Sequence, residues 1–325
     1  MQTVVLTAGA TPLGRRVLEL LRRDPDVARI VEIADHQLGP DAAGELKRQM
    51  VGTTSLVHLH EDAPATRAVF DAAAATGVRH AVILSSTTVY GAWPTNPVPL
   101  TEEAPVRPNP ELSLAVKAAE RERLAGEWLA GHPGTAVAVL RAAVPVAEDD
   151  DGSLARALRT AAGPVDAGDD APVQFVHHAD LAAAVDLARR LRLEGPFNVA
   201  PDGWITGEAL RALAGGPRVR LPDRFATRVA TLRWRLLLAP DRPGLVPYTR
   251  HPWVVANDRL RAEGWVPSYT NEEAYVATAP ATPWATVSPR RRQGLALGGA
   301  AVAVVGIVAA GVVLGRWALR HRRAA

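Results

Sequence analysis

Short apolar runs alternate with amphipathic stretches along the first half of the chain. Residues 2–7 (QTVVLT) form one such run, and after a short turn the sequence continues as RRVLELLRR, with apolar side chains three or four positions apart. The run is typical of a strand covered on both faces, and the spacing is typical of a helix that packs on one face. Further strand-like runs lie at 29–34, 55–59 and 81–84, with an alanine-rich helical stretch at 65–75.

This alternation predicts the fold class. Repeated strand-helix-strand units favour an α/β fold, a Rossmann-type doubly wound parallel sheet. We expect the core over residues 1–145, with sheet-completing pieces at 172–200. A chain of 325 residues, 48% of them hydrophobic, is long enough to bury such a core.

The turn after the first strand is a candidate dinucleotide-binding loop. A helix that starts directly after such a strand can hold a pyrophosphate on its free N–H groups. Only Gly14 matches the glycine pattern expected there, because Ala8 and Thr11 occupy the two earlier positions. A tight turn without a ligand is the alternative interpretation. The candidate cofactor contacts in this loop are Ala8, Thr11, Pro12, Leu13 and Gly14.

Asp35 ends the second strand-like run, roughly 20 residues after the loop, where a carboxylate can accept the adenosine ribose hydroxyls. This placement favours NAD over NADP. A helix-capping or turn aspartate is the alternative. Leu59, at the end of the third run, completes the candidate cofactor contacts.

Residues 295–315 (LALGGAAVAVVGIVAAGVVLG) are 21 positions without a charged side chain. At about 1.5 Å per residue a helix of this length covers the roughly 30 Å hydrocarbon layer of a bilayer. We therefore predict one C-terminal transmembrane helix, preceded by a linker at 281–294 and followed by a basic tail at 316–325. Membrane lipid is the implied partner of this segment.

The orientation of the predicted span rests on the other end of the chain, because arginines flank the span on both sides. Residues 1–25 show no basic region followed by an apolar one, so no export signal is expected there. We expect a single-pass protein of the cell membrane with its soluble domain in the cytoplasm. Gly311 and Gly315 form a small-xxx-small pair, which leaves dimerisation open.

Charge and composition exclude several functions. The isoelectric point is near 9.6, but seven arginines beyond residue 289 carry the excess, so the first 289 residues have a net charge of −4 against +3 for the whole chain. A nucleic-acid binder needs a basic folded face, so no nucleic-acid partner is expected.

Cysteine is absent, which excludes thiol chemistry. His58 and His60 lack a third spaced histidine, so no metal site is predicted.

A family resemblance rests on the segment LSSTTVYGAW at 84–93, with GVRHAVILSS, AVLRAAV, QFVHHADLA and FNVAPDG as further matching pieces. These pieces resemble the extended short-chain dehydrogenase/reductase family, the NAD-dependent epimerases and dehydratases, over roughly residues 2–280. The resemblance implies NAD(P) as cofactor, a nucleotide-linked sugar as ligand and a small substrate-type subdomain over 146–280. It also implies that Ser86 is the catalytic serine.

The same resemblance exposes a missing pair. Active members carry a Tyr-x-x-x-Lys motif on the following helix, where one turn of spacing brings a tyrosine proton donor and a lysine to one face. Here the aligned positions are Leu114 and Ala118, and a one-residue slip gives Ser113 and Lys117 instead. None of the four tyrosines in the chain is followed by lysine four positions on. Ordinary family chemistry is therefore not expected.

Two further expectations come from the resemblance. The 19 residues at 36–54 contain no apolar run for the family's third strand, so we expect a trimmed sheet edge and a reduced adenine pocket. Thr87, Gln174 and His177 are expected at the substrate cleft, and for Asp180 the resemblance implies the same junction between subdomains at the edge of the cleft. The alternative for Asp180, which we favour from the sequence pattern, is a cap on the helix that it begins.

The leading hypothesis is a membrane-tethered, catalytically impaired relative of the epimerases that binds a dinucleotide or nucleotide-sugar. Two alternatives stay open: an active NAD(P)-dependent oxidoreductase or epimerase on a nucleotide-linked or lipid-linked sugar, and a scaffold without a ligand.

Overall fold

Parallel strands of the predicted kind form the centre of the protein. The computed structural model describes residues 1–38, 43–149, 152, 154–156, 158, 165–166, 171–214, 219–220 and 243–278. The strands are β1 (Gln2–Thr7), β2 (Val27–Ile33), β3 (Ser55–His58), β4 (His80–Ser86), β5 (Ala136–Ala142), β6 (Val144–Val146), β7 (Val165–Asp166), β8 (Phe175–His177), β9 (Gly195–Val199) and β10 (Val219–Arg220). Six of them form one sheet in the order β2-β1-β3-β4-β5-β9, and every neighbouring pair is parallel.

Helices follow most of the strands, and short 3₁₀ turns lie within the described residues at Asp35–Gln37, Thr87–Tyr90 and Pro243–Leu245. The helices are α1 (Pro12–Arg23), α2 (Ala43–Gln49), α3 (Ala63–Thr76), α4 (Ser113–Gly131), α5 (His178–Leu191), α6 (Gly207–Ala214), α7 (Val246–Arg250), α8 (Asp258–Ala262) and α9 (Asn271–Thr278).

Side chains on successive positions of β1 enter different cores. Val4 and Leu6 belong to one buried cluster and Val5 to another, because neighbouring residues of a strand point to opposite faces of the sheet. The first cluster takes up the apolar faces of α1 and α5, and the second those of α2, α3 and α4. Helices therefore cover both faces, which confirms the predicted Rossmann-like parallel sheet.

A third buried cluster lies beyond β5. It contains Val144 and Val146 of β6, Phe175 of β8, Tyr248 of α7 and Tyr275 of α9. β6 pairs with β8, and β7 pairs with β10, in two small two-stranded sheets. The described residues nevertheless belong to one contact unit, residues 1–214 with 218–278, so a separate subdomain over 146–280 stays a prediction.

The sheet ends at β2 on the side of Asp35. In the described part of residues 36–54 the chain forms α2 and no strand, and β2 is the last strand on this side of the six-stranded sheet. Leu46 of α2 and Met50 are buried against the core and cover this region. The missing third strand agrees with the short spacing seen in the sequence.

The C-terminal segment lies outside the described residues, including the linker 281–294, the predicted span 295–315 and the tail 316–325. Among the residues that the structure describes, no helix has the length and apolarity needed to cross a bilayer. The transmembrane helix therefore stays a prediction.

Candidate functional site

A cavity of about 680 Å³ opens at the carboxyl ends of the parallel strands. The chain leaves β1 toward β2 and returns to β3 on the other side of β1, and such a switch of direction is where ligands bind in open α/β sheets. Seven predicted site residues line the cavity: Ala8, Thr11, Pro12, Leu13, Asp35, Leu59 and Ser86. Four are not among its lining residues: Gly14, Thr87, Gln174 and His177.

The turn between β1 and α1 has the backbone conformation of a glycine-rich dinucleotide-binding loop, although Ala8 and Thr11 replace two of the expected glycines. Ala8 has a φ of 55°, in the left-handed region that glycine adopts most easily. Thr11 caps α1: its Oγ1 accepts a hydrogen bond from the Gly14 amide at 3.0 Å and donates one to the Ala8 carbonyl at 2.8 Å. Pro12 at the first helical position costs α1 no hydrogen bond, because that N–H would have no partner inside the helix.

Gly14 holds this turn against the helix. A Cβ at Gly14 would lie 2.1 Å from the Ala8 carbonyl oxygen and 2.7 Å from the Gly9 Cα. Both distances are shorter than any real carbon contact, so only glycine fits. The atoms that an added Cβ would meet belong to the backbone of the turn, so the absence of a side chain at Gly14 lets α1 start close to it.

Asp35 lies at the rim of the cavity, where β2 ends and a 3₁₀ turn begins. Its side chain is 62% exposed, and its Oδ1 lies 3.7 Å from Nε2 of His60. The carboxylate is therefore free to accept hydrogen bonds from a ligand on its exposed side. The alternative is a helix-capping or turn aspartate: capping of a regular α-helix is not seen, but Asp35 does begin a 3₁₀ turn of three residues.

Ser86 lies at the end of β4 and caps the 3₁₀ turn that follows. Its Oγ accepts hydrogen bonds from the Thr88 amide at 3.2 Å and from Thr88 Oγ1 at 3.0 Å. The hydroxyl proton of Ser86 stays available to a group in the cavity. Thr87, the neighbouring candidate, is 1% exposed and does not line the cavity.

One face of α4 forms the opposite wall of the cavity. Ser113, Leu114, Lys117 and Arg121 line it, and Ala118 is fully buried beneath them. Lys117 lies near the Asp62 carboxylate, with 3.6 Å between its Nζ and Oδ1. The structure thus brings Leu114 to the cavity, and it brings both Ser113 and Lys117 to the same wall.

Arg121 is a pocket residue that the sequence interpretation missed. Its guanidinium donates to two main-chain carbonyls, those of Leu84 in β4 and Glu61 after β3. It follows Lys117 by four positions, which places the two on one helix face. That spacing was the available signal, but an arginine within a charged helical stretch is typical of a solvated face.

Gln174 and His177 have structural partners. Gln174 Nε2 donates to the carbonyls of Gly203 and Val255, and its Oε1 accepts from the Val255 amide at 2.8 Å. His177 caps α5 through its Nδ1 and stacks on Tyr269, with 3.8 Å between the ring centroids. These contacts join the segments after β9 to β8 and leave neither side chain for the cavity.

The capping role expected of Asp180 was wrong. His177 caps α5, while the buried Asp180 carboxylate accepts from the amides of Ser268 and Tyr269 at 2.8 and 3.0 Å. The side chain therefore fixes the loop before α9 rather than the start of its own helix.

His58 lies buried below the cavity, hydrogen-bonded through its two ring nitrogens to Thr7 Oγ1 at 3.0 Å and Thr66 Oγ1 at 2.9 Å. Burial, together with the charges of Arg121 and His60, lowers the pKa of His58 to about 3. A neutral imidazole with both nitrogens occupied has no free position for a metal. No group of three or more metal-ligating side chains occurs within the described residues.

A buried polar network supports the floor between β4, β5 and β9. Arg141 pairs with Glu122 at 2.7 Å and donates to the Tyr90 hydroxyl at 2.8 Å, and Tyr90 donates to Asn198 at 2.7 Å. Burial raises the pKa of Tyr90 to about 12, against the lowering effect of Arg141. The tyrosine of the VYG segment is therefore a structural group and not a proton donor to the cavity.

Comparison with solved structures identifies the class of the fold. The chain superimposes on UDP-N-acetylglucosamine 4-epimerase of Bacillus cereus with a TM-score of 0.61 and 15% identity, covering 85% of this chain and 97% of that one. UDP-glucose 4-epimerase of Thermus thermophilus, solved with NAD, gives 0.61 and 18% over 88% and 100% of the two chains. A short-chain dehydrogenase/reductase superfamily protein of Agrobacterium tumefaciens with bound NAD gives 0.60 and 20% over 91% and 99%. The fold is that of NAD-dependent epimerases and dehydratases.

Sequence relatives add little about function. Uncharacterised proteins of Mycobacterium tuberculosis and Mycobacterium bovis are 29% identical over 212 residues, which cover 62% of this chain. The chain spans about half the length of these curated relatives, 54%. No family model matches the chain.

Proposed function

We propose that this protein binds a dinucleotide of the NAD class in the cavity and acts through binding rather than through the redox chemistry typical of its fold. The observation that carries the proposal is that the cavity has residues suited to holding a dinucleotide but lacks the family's tyrosine proton donor. The loop of Ala8 to Leu13 and the carboxylate of Asp35 line one part of it, whereas the α4 wall presents Leu114 where the resemblance implies a tyrosine.

The residues present fit a dinucleotide. Ala8 keeps the left-handed turn and Gly14 keeps the helix close to it. Pro12 has no N–H and the Gly14 amide is bonded to Thr11, so the amide of Leu13, a cavity residue, is the first-turn donor left for a phosphate. Asp35 can accept the two ribose hydroxyls, and its negative charge disfavours the extra phosphate of NADP. NAD is therefore the expected form.

Bound NAD supplies a hydride acceptor, but the proton that must leave the substrate hydroxyl needs its own acceptor. Ser86 can hold a substrate oxygen by a hydrogen bond, but Leu114 has no group that exchanges a proton. The loss of a positioned acid or base typically lowers a rate by about 10²- to 10⁴-fold. Turnover at the level of the epimerases is not expected.

Titration with NAD, NADH, NADP and NADPH tests the binding proposal, with NADH fluorescence or calorimetry as the readout. Binding of NAD or NADH with weaker binding of the phosphorylated forms is expected. Absence of binding at millimolar cofactor would favour the ligand-free scaffold and overturn the proposal. The variant Gly14→Ala, which displaces the loop backbone, is expected to lose binding, and thermal unfolding checks that it is folded.

The double variant Leu114→Tyr with Ala118→Lys tests the impairment. The reaction to follow is conversion of UDP-glucose or UDP-N-acetylglucosamine in the presence of NAD. We expect no measurable turnover by the wild-type protein. Measurable wild-type turnover, equal to or above that of the double variant, would contradict the impairment.

A second function is favoured by one specific observation. Ser113 and Lys117 are four positions apart and both line the cavity, so they reproduce the spacing of the missing pair with a weaker acid. Under this alternative the protein is an active oxidoreductase or epimerase on a nucleotide-linked or lipid-linked sugar. Wild-type turnover that falls on Lys117→Gln, with unchanged NADH affinity, would establish it.

The membrane tether belongs to the same proposal. The apolar length of 295–315 with arginines on both flanks supports a span that would tether the protein to a membrane. A reporter fused after Ala325 tests the orientation, and it is expected on the side opposite the cytoplasm. A cytoplasmic reporter would contradict the proposed topology.

A further inference from the structure

Three arginines in the described residues are almost fully buried, and they differ in their partners. Arg141 is 6% exposed and pairs with the Glu122 carboxylate. Arg189 is 1% exposed and pairs with the carboxylates of Asp24 and Asp186. Arg121 is 2% exposed, yet its hydrogen-bond partners are only two main-chain carbonyls, and no carboxylate of the described residues lies within ion-pair distance of it.

The nearest acidic groups do not neutralise Arg121 directly. Asp62 lies against Lys117, and Glu122 is held by Arg141 and by the hydroxyl of Ser85 at 2.6 Å. Burial lowers the pKa of Arg121, and the carboxylates of Glu61, Glu122 and Asp62 oppose this only from a greater distance. By contrast, the contact with Glu122 raises the pKa of Arg141 despite its burial.

A buried cation without an anion is costly, and proteins normally pair it. Of the three buried arginines, Arg121 is the one that lines the cavity. Nε donates to the Leu84 carbonyl at 3.3 Å and Nη1 to the Glu61 carbonyl, and Nη2 has no partner among the described residues. The guanidinium is thus fixed in place with donor capacity left for a ligand.

Its position on α4 adds to the argument. Arg121 lies one helical turn beyond Ala118, which the resemblance places at the family's lysine. The small buried alanine at that point supplies no cation, and the neighbouring Lys117 lies near the Asp62 carboxylate. The longer arginine side chain reaches the carboxyl ends of β3 and β4 from the next turn.

We propose that Arg121 is the ligand-binding cation of the cavity and receives an anionic phosphoryl oxygen of a nucleotide ligand. The proposal rests on the nucleotide binding proposed above. Two sources share this chemistry, the diphosphate of a dinucleotide and that of a nucleotide-sugar. The guanidinium suits both, because its fixed N–H groups match two phosphoryl oxygens at once.

The test compares Arg121→Gln, Arg121→Lys and Arg123→Gln in the full chain, titrated with NADH and separately with UDP. Arg123 lies on the same helix, exposed and paired with Glu120 and Glu127, so it is a matched control outside the cavity. The substitution Arg121→Gln keeps an N–H donor for one of the two carbonyls and removes the positive charge of the guanidinium. Thermal unfolding without ligand verifies that each variant is folded, and Arg121→Met replaces the glutamine variant if that one is not.

Loss of a charge-assisted hydrogen bond predicts binding about 10- to 100-fold weaker for Arg121→Gln. We expect Arg121→Lys to lose less and Arg123→Gln to bind like the wild type. If Arg121→Gln weakens the binding of NADH, Arg121 receives a phosphoryl oxygen of the dinucleotide. If it weakens the binding of UDP, Arg121 receives a phosphoryl oxygen of the nucleotide-sugar. Wild-type affinity for both probes in Arg121→Gln, or an equal loss in the lysine variant, would overturn the inference.

Failure of the proposed function gives a different result. A wild-type protein that binds UDP but neither NAD nor NADH would refute dinucleotide binding, while a loss of UDP binding in Arg121→Gln would still support the role of Arg121. A wild-type protein that binds none of these nucleotides would refute both.

Discussion

The β1–α1 turn and the cavity wall of α4 have kept different features of the same fold. In the turn, Ala8 adopts the left-handed backbone of a glycine and Gly14 packs against it. In the wall, the helix keeps its place, but its cavity positions are Leu114, Lys117 and Arg121.

The difference shows which features a scaffold can preserve without a particular residue. A backbone conformation is enforced by many neighbouring contacts, so one unfavourable residue costs only about 1–2 kcal/mol. A proton transfer depends on a single side chain with suitable acidity, and no surrounding packing can restore it. The backbone geometry of a loop can therefore persist independently of the side chains that a proton transfer needs.

The largest effect on stability is expected at Gly14, where the β1–α1 turn leaves no room for a side chain. Gly14→Ala places a methyl group 2.1 Å from the Ala8 carbonyl oxygen, and the forced movement should lower the free energy of unfolding by about 3 kcal/mol. NADH binding should be lost as well. Urea unfolding and NADH titration measure both effects.

Gly126→Ala is the matched control for this change. Gly126 is in the interior of α4, and an added Cβ would meet nothing within 4 Å. Alanine there should stabilise the protein by about 0.5–1 kcal/mol. Equal stability of the two variants would contradict the proposed role of Gly14.

The stability of the protein is expected to depend on pH through His58, which is buried at the end of β3. Its pKa of about 3 in the folded state lies below the ordinary value of 6.5, so between these values the unfolded chain binds a proton that the folded protein does not. Stability should therefore rise with pH from about 3 to 6.5, and be lost as the pH falls. Each pH unit in that window contributes about 1.4 kcal/mol from this residue.

The variant His58→Asn lacks this titrating group. Its unfolding free energy should therefore rise less steeply with pH between about pH 4 and 6, by about 1.4 kcal/mol per pH unit. Urea unfolding at half-unit pH intervals measures the slope, which is independent of the stability lost by the substitution itself. Parallel curves for the variant and the wild type would show that His58 is protonated equally in both states.

Ala8→Gly tests the strain in the turn directly. Glycine has no Cβ to oppose a φ of 55°, so the variant should gain about 1 kcal/mol in unfolding free energy. Ala10→Gly, two residues later and outside the positive-φ residues, should instead lose about 0.5 kcal/mol. Destabilisation by Ala8→Gly would mean that the turn is not strained.

The smallest effect is expected on the α4 wall. Lys117 and Asp62 are both partly exposed, 57% and 44% of their side chains, and such a pair contributes about 0–1 kcal/mol. Lys117→Gln should therefore leave thermal stability nearly unchanged. A loss of several kcal/mol would show that Lys117 is a structural residue of the wall, and the comparison between the two regions would need revision.

Local patterns predicted the strands and much of the cavity correctly. The run at residues 2–7 became β1 with the same bounds, and the short interval after Asp35 agrees with the strand missing beyond β2. Seven of the predicted site residues line the cavity because they follow or end parallel strands, whose carboxyl ends meet at one edge.

The sequence by itself determined the parallel sheet, the loop at its first strand and the absence of a Tyr-x-x-x-Lys pair, because these depend on the order and spacing of nearby residues. Only the tertiary structure decided the roles of Gln174, His177 and Asp180, whose partners lie up to 92 residues away, the separation of His177 from Tyr269. It alone also showed Arg121 as a buried cation without a carboxylate. Burial and pairing depend on segments that meet only after folding, and no local pattern carries that information.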